Sequence, residues 1–158
     1  MSKSVTIKIY IFLRKQPLYL FIAFILIFNL AISIIISFIG IDLNTEEIFS
    51  SKSFITLLFL ACIIAPLFET LLIQYFPMEL FKNRFKKRTL VRILLSSLLF
   101  SIGHTYNFYY MLVMFFMGIS LATTYAIQRK KHSRTYAFYA VCLTHCLWNF
   151  FVLLEFML

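Results

Sequence analysis

Long apolar segments dominate the chain and limit the folds that it can adopt. A transmembrane helix needs about 20 apolar residues to cross a hydrocarbon core of roughly 30 Å. Five segments approach or exceed this length: residues 18–41, 54–81, 90–104, 108–127 and 136–158. Hydrophobic residues make up 62% of the chain and charged residues only 13%, well beyond the apolar share of a soluble domain. The sequence therefore predicts an all-α, polytopic membrane bundle of about five transmembrane helices.

Membrane topology explains the net charge of +9 better than nucleic-acid binding does. The Lys and Arg residues show no base-reading motif and no interleaved aromatic platform. They cluster before the first segment, between the second and third, and between the fourth and fifth. Because basic loops stay on the cytoplasmic side of a membrane, we predict a cytoplasmic N-terminus and an external C-terminus.

The length of the chain suits one transmembrane domain over residues 18–158, preceded by a basic segment over residues 1–17. In that segment Val5, Ile9, Phe12 and Leu13 fall at helical spacing, which indicates a short interfacial helix; an ordinary cytoplasmic anchor is the alternative. The first apolar run is longer than a signal-peptide core and lacks a convincing cleavage site. We expect it to remain in the mature protein.

Three ionisable residues, Glu69, His104 and His145, lie inside apolar segments. Such residues are costly in hydrocarbon and mark functional sites by default. Helical rise places them about 20, 18 and 16 Å from the nearest basic flank of their segments. Three helices are therefore expected to present these groups at one depth, although each group alone could equally be hydrogen-bonded in the core of a bundle.

Two of these ionisable residues have a polar or aromatic residue four positions away, on the same face of the helix. Asn149 follows His145 by four residues, so both side chains face one direction and can donate hydrogen bonds to one small group. Phe100 precedes His104 by four residues, and an aromatic ring there can orient the imidazole. The alternative is that each polar side chain only forms a hydrogen bond with another group in the protein core.

Two prolines make the second segment irregular. Pro66 and Pro77 lack backbone N–H groups and leave the carbonyls of Cys62 and Ile73 without their usual helical donors. Glu69, between the two prolines, is therefore expected on a bent helix.

Other reactive side chains have simpler explanations. The cysteines all lie within apolar segments, at positions 62, 142 and 146, and no zinc motif includes them. Cys146 adjoins His145, which makes a thiolate nucleophile conceivable, but apolar surroundings keep a thiol inert. His132 lies in the basic sequence RKKHSR and receives no role in the site.

Three motifs follow in order along the apolar segments: Glu69-Thr70-x-x-x-Gln74, Phe100-x-x-x-His104 and His145-x-x-x-Asn149. The set resembles the CPBP family of intramembrane proteases, which includes the type II CAAX prenyl endopeptidases and bacterial homologues linked to bacteriocin processing and self-immunity. The resemblance covers about residues 54–156. The first motif departs from the family pattern, because Thr70 replaces a second glutamate and Gln74 replaces an arginine. We expect these two to form a neutral hydrogen-bonding pair.

The resemblance implies an endopeptidase in the bacterial cytoplasmic membrane that acts on a membrane-associated peptide or protein. It implies that Glu69 and His104 activate a water, while His145 and Asn149 steady the oxyanion. The alternative is an inactive family member that serves as an immunity or scaffolding protein.

A metal-dependent mechanism is a further possibility, with zinc held by Glu69, His104 and His145. We favour a metal-free site, because no HExxH pattern sets two ligands on one helix. Haem binding or proton transfer by the same trio would give Asn149 no role.

Overall fold

The computed structural model describes residue 8 and residues 11–39, 53–85 and 88–157. The described residues form an all-α bundle without strands, as the apolar segments predict. Its helices are α1 (Leu18–Phe38), α2 (Phe54–Arg84), α3 (Thr89–Ile102), α4 (Phe108–Lys131) and α5 (Arg134–Met157). Residues 11–15 form a helical turn ahead of α1, in which Leu13 packs against the bundle. Val5 and Ile9 of the predicted interfacial helix, and residues 40–41 of the first predicted segment, lie outside the described residues.

Four of these helices, α1, α2, α4 and α5, are long and apolar enough to cross a membrane. α3 is an apolar helix of only 14 residues, about 21 Å long, which is shorter than a hydrocarbon core. The predicted polytopic helical bundle is thus confirmed, and the described part of the chain supplies four helices of membrane-spanning length and one shorter apolar helix.

α3 also ends earlier than predicted, because the chain leaves the helical path at Gly103. The His104 N–H bonds to the Ser101 carbonyl in a tighter turn, and the Asn107 side chain then caps α4 by accepting from the Tyr110 N–H at 2.8 Å. His104 therefore lies in the connection between two helices rather than inside a helix.

Two helices run further into the basic loops than predicted. α2 continues to Arg84 rather than residue 81, and α4 to Lys131 rather than residue 127. Cations stabilise the last turn of a helix by their interaction with its dipole, so the basic residues extend these helices instead of ending them.

α2 contains two π-helical segments, Leu60–Ile64 and Thr70–Tyr75. Each is followed closely by a proline, Pro66 after the first and Pro77 after the second. Such segments are common at functional sites, because the wider turn frees backbone carbonyls and reorients side chains. Glu69 stands immediately before the second segment, so the irregularity of α2 is centred on this residue.

Side chains from neighbouring helices bind carbonyls in these irregular segments. The Ser96 hydroxyl of α3 donates to the carbonyl of Ile73, to which Pro77 has no N–H to offer. The Asn149 amide of α5 donates to the carbonyl of Ala61 at 2.7 Å. The irregular backbone of α2 therefore anchors both α3 and α5.

The core of the bundle surrounds α4, the most buried of the four long helices. Leu121, Ala122 and Tyr125 are fully or almost fully buried, and they pack in one cluster with Phe100 of α3 and Val141 of α5. Large apolar side chains on the outer faces of the helices stay exposed, as expected where a protein faces lipid.

A glycine determines how closely α3 approaches α4. A Cβ atom added to Gly118 would lie 2.8 Å from the Cα of Ser97, closer than real side chains come. Gly103 needs no such freedom, since its added Cβ would meet only ordinary contacts of 3.4 Å or more. Gly118 therefore sets a close helix contact, whereas Gly103 does not.

Candidate active site

Glu69, His104 and His145 meet at one point of the bundle. One carboxylate oxygen of Glu69, Oε2, lies 3.8 Å from Nε2 of His104 and 3.8 Å from Nε2 of His145. α2 supplies the carboxylate, the turn after α3 supplies the first imidazole and α5 supplies the second. The three predicted ionisable residues form a single cluster.

The end of α3 orients His104. The Phe100 carbonyl loses its helical donor where the chain leaves α3, and His104 Nδ1 lies 2.7 Å from it. A carbonyl oxygen only accepts hydrogen bonds, so Nδ1 carries the hydrogen. In the neutral ring Nε2 then presents a lone pair toward Glu69.

The ring of Phe100 packs between the two imidazoles. Its centroid lies 4.5 Å from that of His104 and 5.6 Å from that of His145, and its side chain is almost fully buried. Phe100 therefore orients His104 through its carbonyl and contacts both rings with its side chain.

The cluster is only partly closed. The side chain of His145 is 4% exposed, that of His104 17% and that of Glu69 27%. The Oε2 atom of Glu69 is buried and has no hydrogen-bond partner among the described residues, and the same holds for Nδ1 of His145. The site thus has polar atoms free to bind a small polar group, beside a carboxylate that can be approached from outside.

Asn149 departs from the expected arrangement. It was expected to act with His145 on one small group, but one amide hydrogen of its Nδ2 binds the Ala61 carbonyl of α2. The π-helical turn explains this contact, because the Ala65 N–H bonds to Leu60 and so leaves the Ala61 carbonyl available.

Thr70 and Gln74 do not form the hydrogen-bonding pair that their spacing suggests. Both are fully buried, and Gln74 Oε1 shares the single hydroxyl hydrogen of Ser96 with the Ile73 carbonyl. Within the described part of the chain, Thr70 Oγ1 and Gln74 Nε2 have no hydrogen-bond partner. The π-helical segment that begins at Thr70 explains the difference, because a widened turn no longer aligns residues four apart as an α-helix does.

Ser96 and Tyr110 lie close to the site, although they are not among the predicted site residues. Ser96 links α3 to Gln74 and Ile73, and the ring of Tyr110 lies 6.1 Å from that of His104. Helical spacing contains a signal for Ser96, because it precedes Phe100 by four residues and so shares its face.

The distances from Glu69 to the two histidines are longer than those between the ligand atoms of a zinc site. Ligand atoms about 2.1 Å from a tetrahedral ion lie roughly 3.4 Å apart, closer than the two distances of 3.8 Å here. Across the described residues, no group of three or more His, Cys, Asp or Glu side chains is arranged to hold a metal ion.

The other reactive residues lie outside the cluster. The Cys142 thiol donates to the Pro66 carbonyl at 3.6 Å, and Cys146 packs against an apolar group that includes Leu57. His132 lies in the exposed basic loop, and its ring centroid is 4.1 Å from that of Tyr136 at the start of α5. These positions agree with packing roles for the cysteines and with no site role for His132.

The comparisons with known proteins identify the family. A family model described as type II CAAX prenyl endopeptidase Rce1-like matches residues 51–151, well over half of the chain. No curated protein and no solved structure matches significantly. The matched region contains all three motifs, so the predicted resemblance is confirmed. The chain belongs to the Rce1-like family of type II CAAX prenyl endopeptidases, a family of intramembrane proteases.

Proposed function

We propose that the protein is an active intramembrane endopeptidase in which Glu69 is the general base. The observation that carries this proposal is the position of Glu69 Oε2, 3.8 Å from Nε2 of both histidines. A carboxylate and two imidazoles are costly to bury inside a membrane bundle. Clusters of this kind are typical of functional sites, and catalysis accounts for the position of these three.

His104 positions the attacking water. Its Nδ1–H is held by the Phe100 carbonyl, so Nε2 accepts a hydrogen bond from the water while Glu69 accepts the second. Two acceptors 3.8 Å apart can both lie about 2.8 Å from one water oxygen. Glu69 then takes one proton as the water oxygen attacks the carbonyl carbon of the scissile peptide bond.

His145 and Asn149 stabilise the oxyanion that forms. We assign one donor to His145 Nε2, which lies 3.8 Å from Glu69 Oε2 and hence close to the attacking water. One hydrogen of Asn149 Nδ2 is engaged by Ala61, and the second is the donor that we assign to the oxyanion. A preorganised donor of this kind contributes about 3–4 kcal/mol to transition-state stabilisation.

The proton taken up by Glu69 completes the reaction. As the tetrahedral intermediate collapses, Glu69 delivers this proton to the amine nitrogen and the C–N bond breaks. The products are a free amine and a carboxylic acid, and Glu69 is again a carboxylate. No cofactor is needed for this sequence of steps.

The proposed substrate is a peptide bond at or in the membrane, in a CAAX-like C-terminal peptide, a bacteriocin or another membrane peptide. The proposed location is the bacterial cytoplasmic membrane with the N-terminus inside. Two features support a membrane substrate: the site lies between membrane-length helices, and Glu69 is partly exposed on α2.

A comparison of protein termini tests the proposal. Membrane fractions are prepared from cells that express the wild type, Glu69→Gln or the control Glu155→Gln at matched abundance. Glu155 is an exposed carboxylate near the end of α5, so its substitution controls for loss of an acidic residue. We expect new termini with the wild type and Glu155→Gln only. Identical termini in all three samples, with all proteins folded, would contradict the proposal.

An inactive immunity or scaffolding protein is the second candidate, and the buried neutral residues Thr70 and Gln74 favour it. Both stand where the resembling family has charged residues, and both are fully buried here. If this candidate is correct, the double substitution Thr70→Glu and Gln74→Arg creates cleavage that the parent lacks. Cleavage by the parent protein itself would rule it out.

A further inference from the structure

A cavity lies apart from the catalytic trio, between the C-terminal part of α2 and the start of α5. Its volume is about 480 Å³. Tyr75, Phe76 and Leu80 contribute apolar surface to its lining. Lys82 and Arg134 contribute two cations, and Asn83 contributes an amide. The lining thus combines apolar side chains with two cations.

The lining has an excess of positive charge. Within the described residues neither Lys82 nor Arg134 forms a salt bridge, so both cations can bind an anion. Glu79 also lines the cavity, but its Oε1 accepts from Arg129 Nε and from the Tyr125 hydroxyl, each at 3.0 Å. Its charge is therefore compensated from the side of α4.

The length of α2 places the cavity at the depth of lipid headgroups. The helix has 31 residues and is about 46 Å long, whereas the hydrocarbon core is roughly 30 Å thick. If α2 enters the core at Phe54, about 20 residues cross it, and Tyr75 marks the far boundary. Tyrosine is enriched at such boundaries. Phe76 and Leu80 are 44% and 70% exposed, as expected for side chains that face lipid.

We propose that this cavity binds the phosphate headgroup of an anionic phospholipid. Lys82 and Arg134 hold the phosphate by charge-assisted hydrogen bonds, and the acyl chains follow the exposed apolar side chains of Phe76 and Leu80. A phospholipid suits this lining, because it combines a phosphate for the two cations with acyl chains for the apolar side chains. This inference is independent of the proposed proteolysis.

Native mass spectrometry of the full-length protein in mild detergent tests the proposal. The lipids are phosphatidylglycerol, which is anionic, and phosphatidylcholine, which carries no net charge. The double variant Lys82→Ala, Arg134→Ala is compared with Arg14→Ala, Lys15→Ala, which removes the same charge from exposed positions ahead of α1. Circular dichroism verifies that each variant remains helical.

We expect the wild type and the control to retain one phosphatidylglycerol and to bind phosphatidylcholine at least ten-fold more weakly. Each basic residue near a lipid phosphate contributes roughly five-fold in affinity, so the Lys82, Arg134 variant should bind about 25-fold more weakly. Equal phosphatidylglycerol binding by this variant and the control would overturn the proposal, as would equal binding of the two lipids.

Two measurements on the wild type complete the test. Excess glycerol phosphate should fail to displace the lipid, because it lacks the acyl chains; full displacement would assign the cavity to soluble phosphates instead. Raising the salt concentration should weaken phosphatidylglycerol binding at this partly exposed site. If binding by the wild type did not depend on salt, the two cations would not hold the phosphate.

Discussion

His104 binds the protein through one ring nitrogen, and its other ring nitrogen is the one that acts in the proposed mechanism. Its Nδ1–H is bound to the carbonyl at the end of α3, and its Nε2 faces Glu69. Asn149 divides its amide in the same way, with one hydrogen engaged by Ala61 and one left over. Residues of this kind connect catalysis to stability, since one substitution removes both contributions.

Substitution of Asn149 should therefore have two effects. We expect Asn149→Ala to lower the free energy of unfolding by about 1 kcal/mol, because the partly buried Ala61 carbonyl loses its donor. We also expect cleavage to fall by at least 100-fold, because the second hydrogen serves the oxyanion. Thermal unfolding in detergent and a cleavage assay measure the two effects. The control is Thr135→Ala, at an exposed polar position of the same helix, α5, which should change neither. A stable but inactive Asn149→Ala would show that the contact with Ala61 contributes little.

At the scale of elements, the site depends on where α3 stands. α3 is too short to be located by a hydrocarbon core alone, and it is held instead by its neighbours. Gly118 of α4 allows close contact at Ser97, and Ser96 bonds to the irregular backbone of α2. Because His104 follows directly after α3, these contacts also determine the distance from His104 to Glu69.

The two glycines near α3 provide a matched pair of substitutions. Gly118→Ala places a Cβ 2.8 Å from the backbone of Ser97 and should push α3 away from α4. We expect a loss of about 1–3 kcal/mol in the free energy of unfolding, together with reduced cleavage as His104 moves. Gly103→Ala should be tolerated within about 0.5 kcal/mol, because its Cβ meets only ordinary contacts. Thermal unfolding and cleavage rates of the two variants distinguish them, and equal effects would contradict this account of α3.

At the scale of the whole molecule, the sequence predicts the elements better than it predicts their contacts. The long apolar runs and the depth of the three ionisable groups are visible along the chain, because membrane thickness sets helix length. The end of α3 cannot be predicted from the sequence, because a tight turn at Gly103 interrupts the helix within an apolar run. The hydrogen bond from Asn149 to the Ala61 carbonyl could not be predicted either. It depends on a π-helical turn in α2 and on the packing of α5, and no local pattern encodes both.

Topology supplies a prediction at this scale. The basic loop that contains His132 should lie in the cytoplasm, and the turn after α3 outside it, if α3 crosses despite its length. In a bacterial host, alkaline phosphatase fused after Tyr106 should be active, and the same enzyme fused after His132 should be inactive. Expression levels of the two fusions serve as the control. Activity of the second fusion alone would contradict this topology, because it requires either the reverse orientation or an α3 that does not cross.

The central claim is that Glu69, His104 and His145 act as one catalytic unit, and mutant kinetics test it most directly. Purified protein in lipid vesicles is given a peptide that contains a bond identified by the comparison of termini. The variants are Glu69→Gln, His104→Ala, His145→Ala and the triple substitution. The account predicts that each single variant loses at least about 1,000-fold in rate and that the triple variant is no more than about ten-fold worse than the worst single one. Losses that multiply, or a Glu69→Gln protein that cleaves at the wild-type rate, would contradict it.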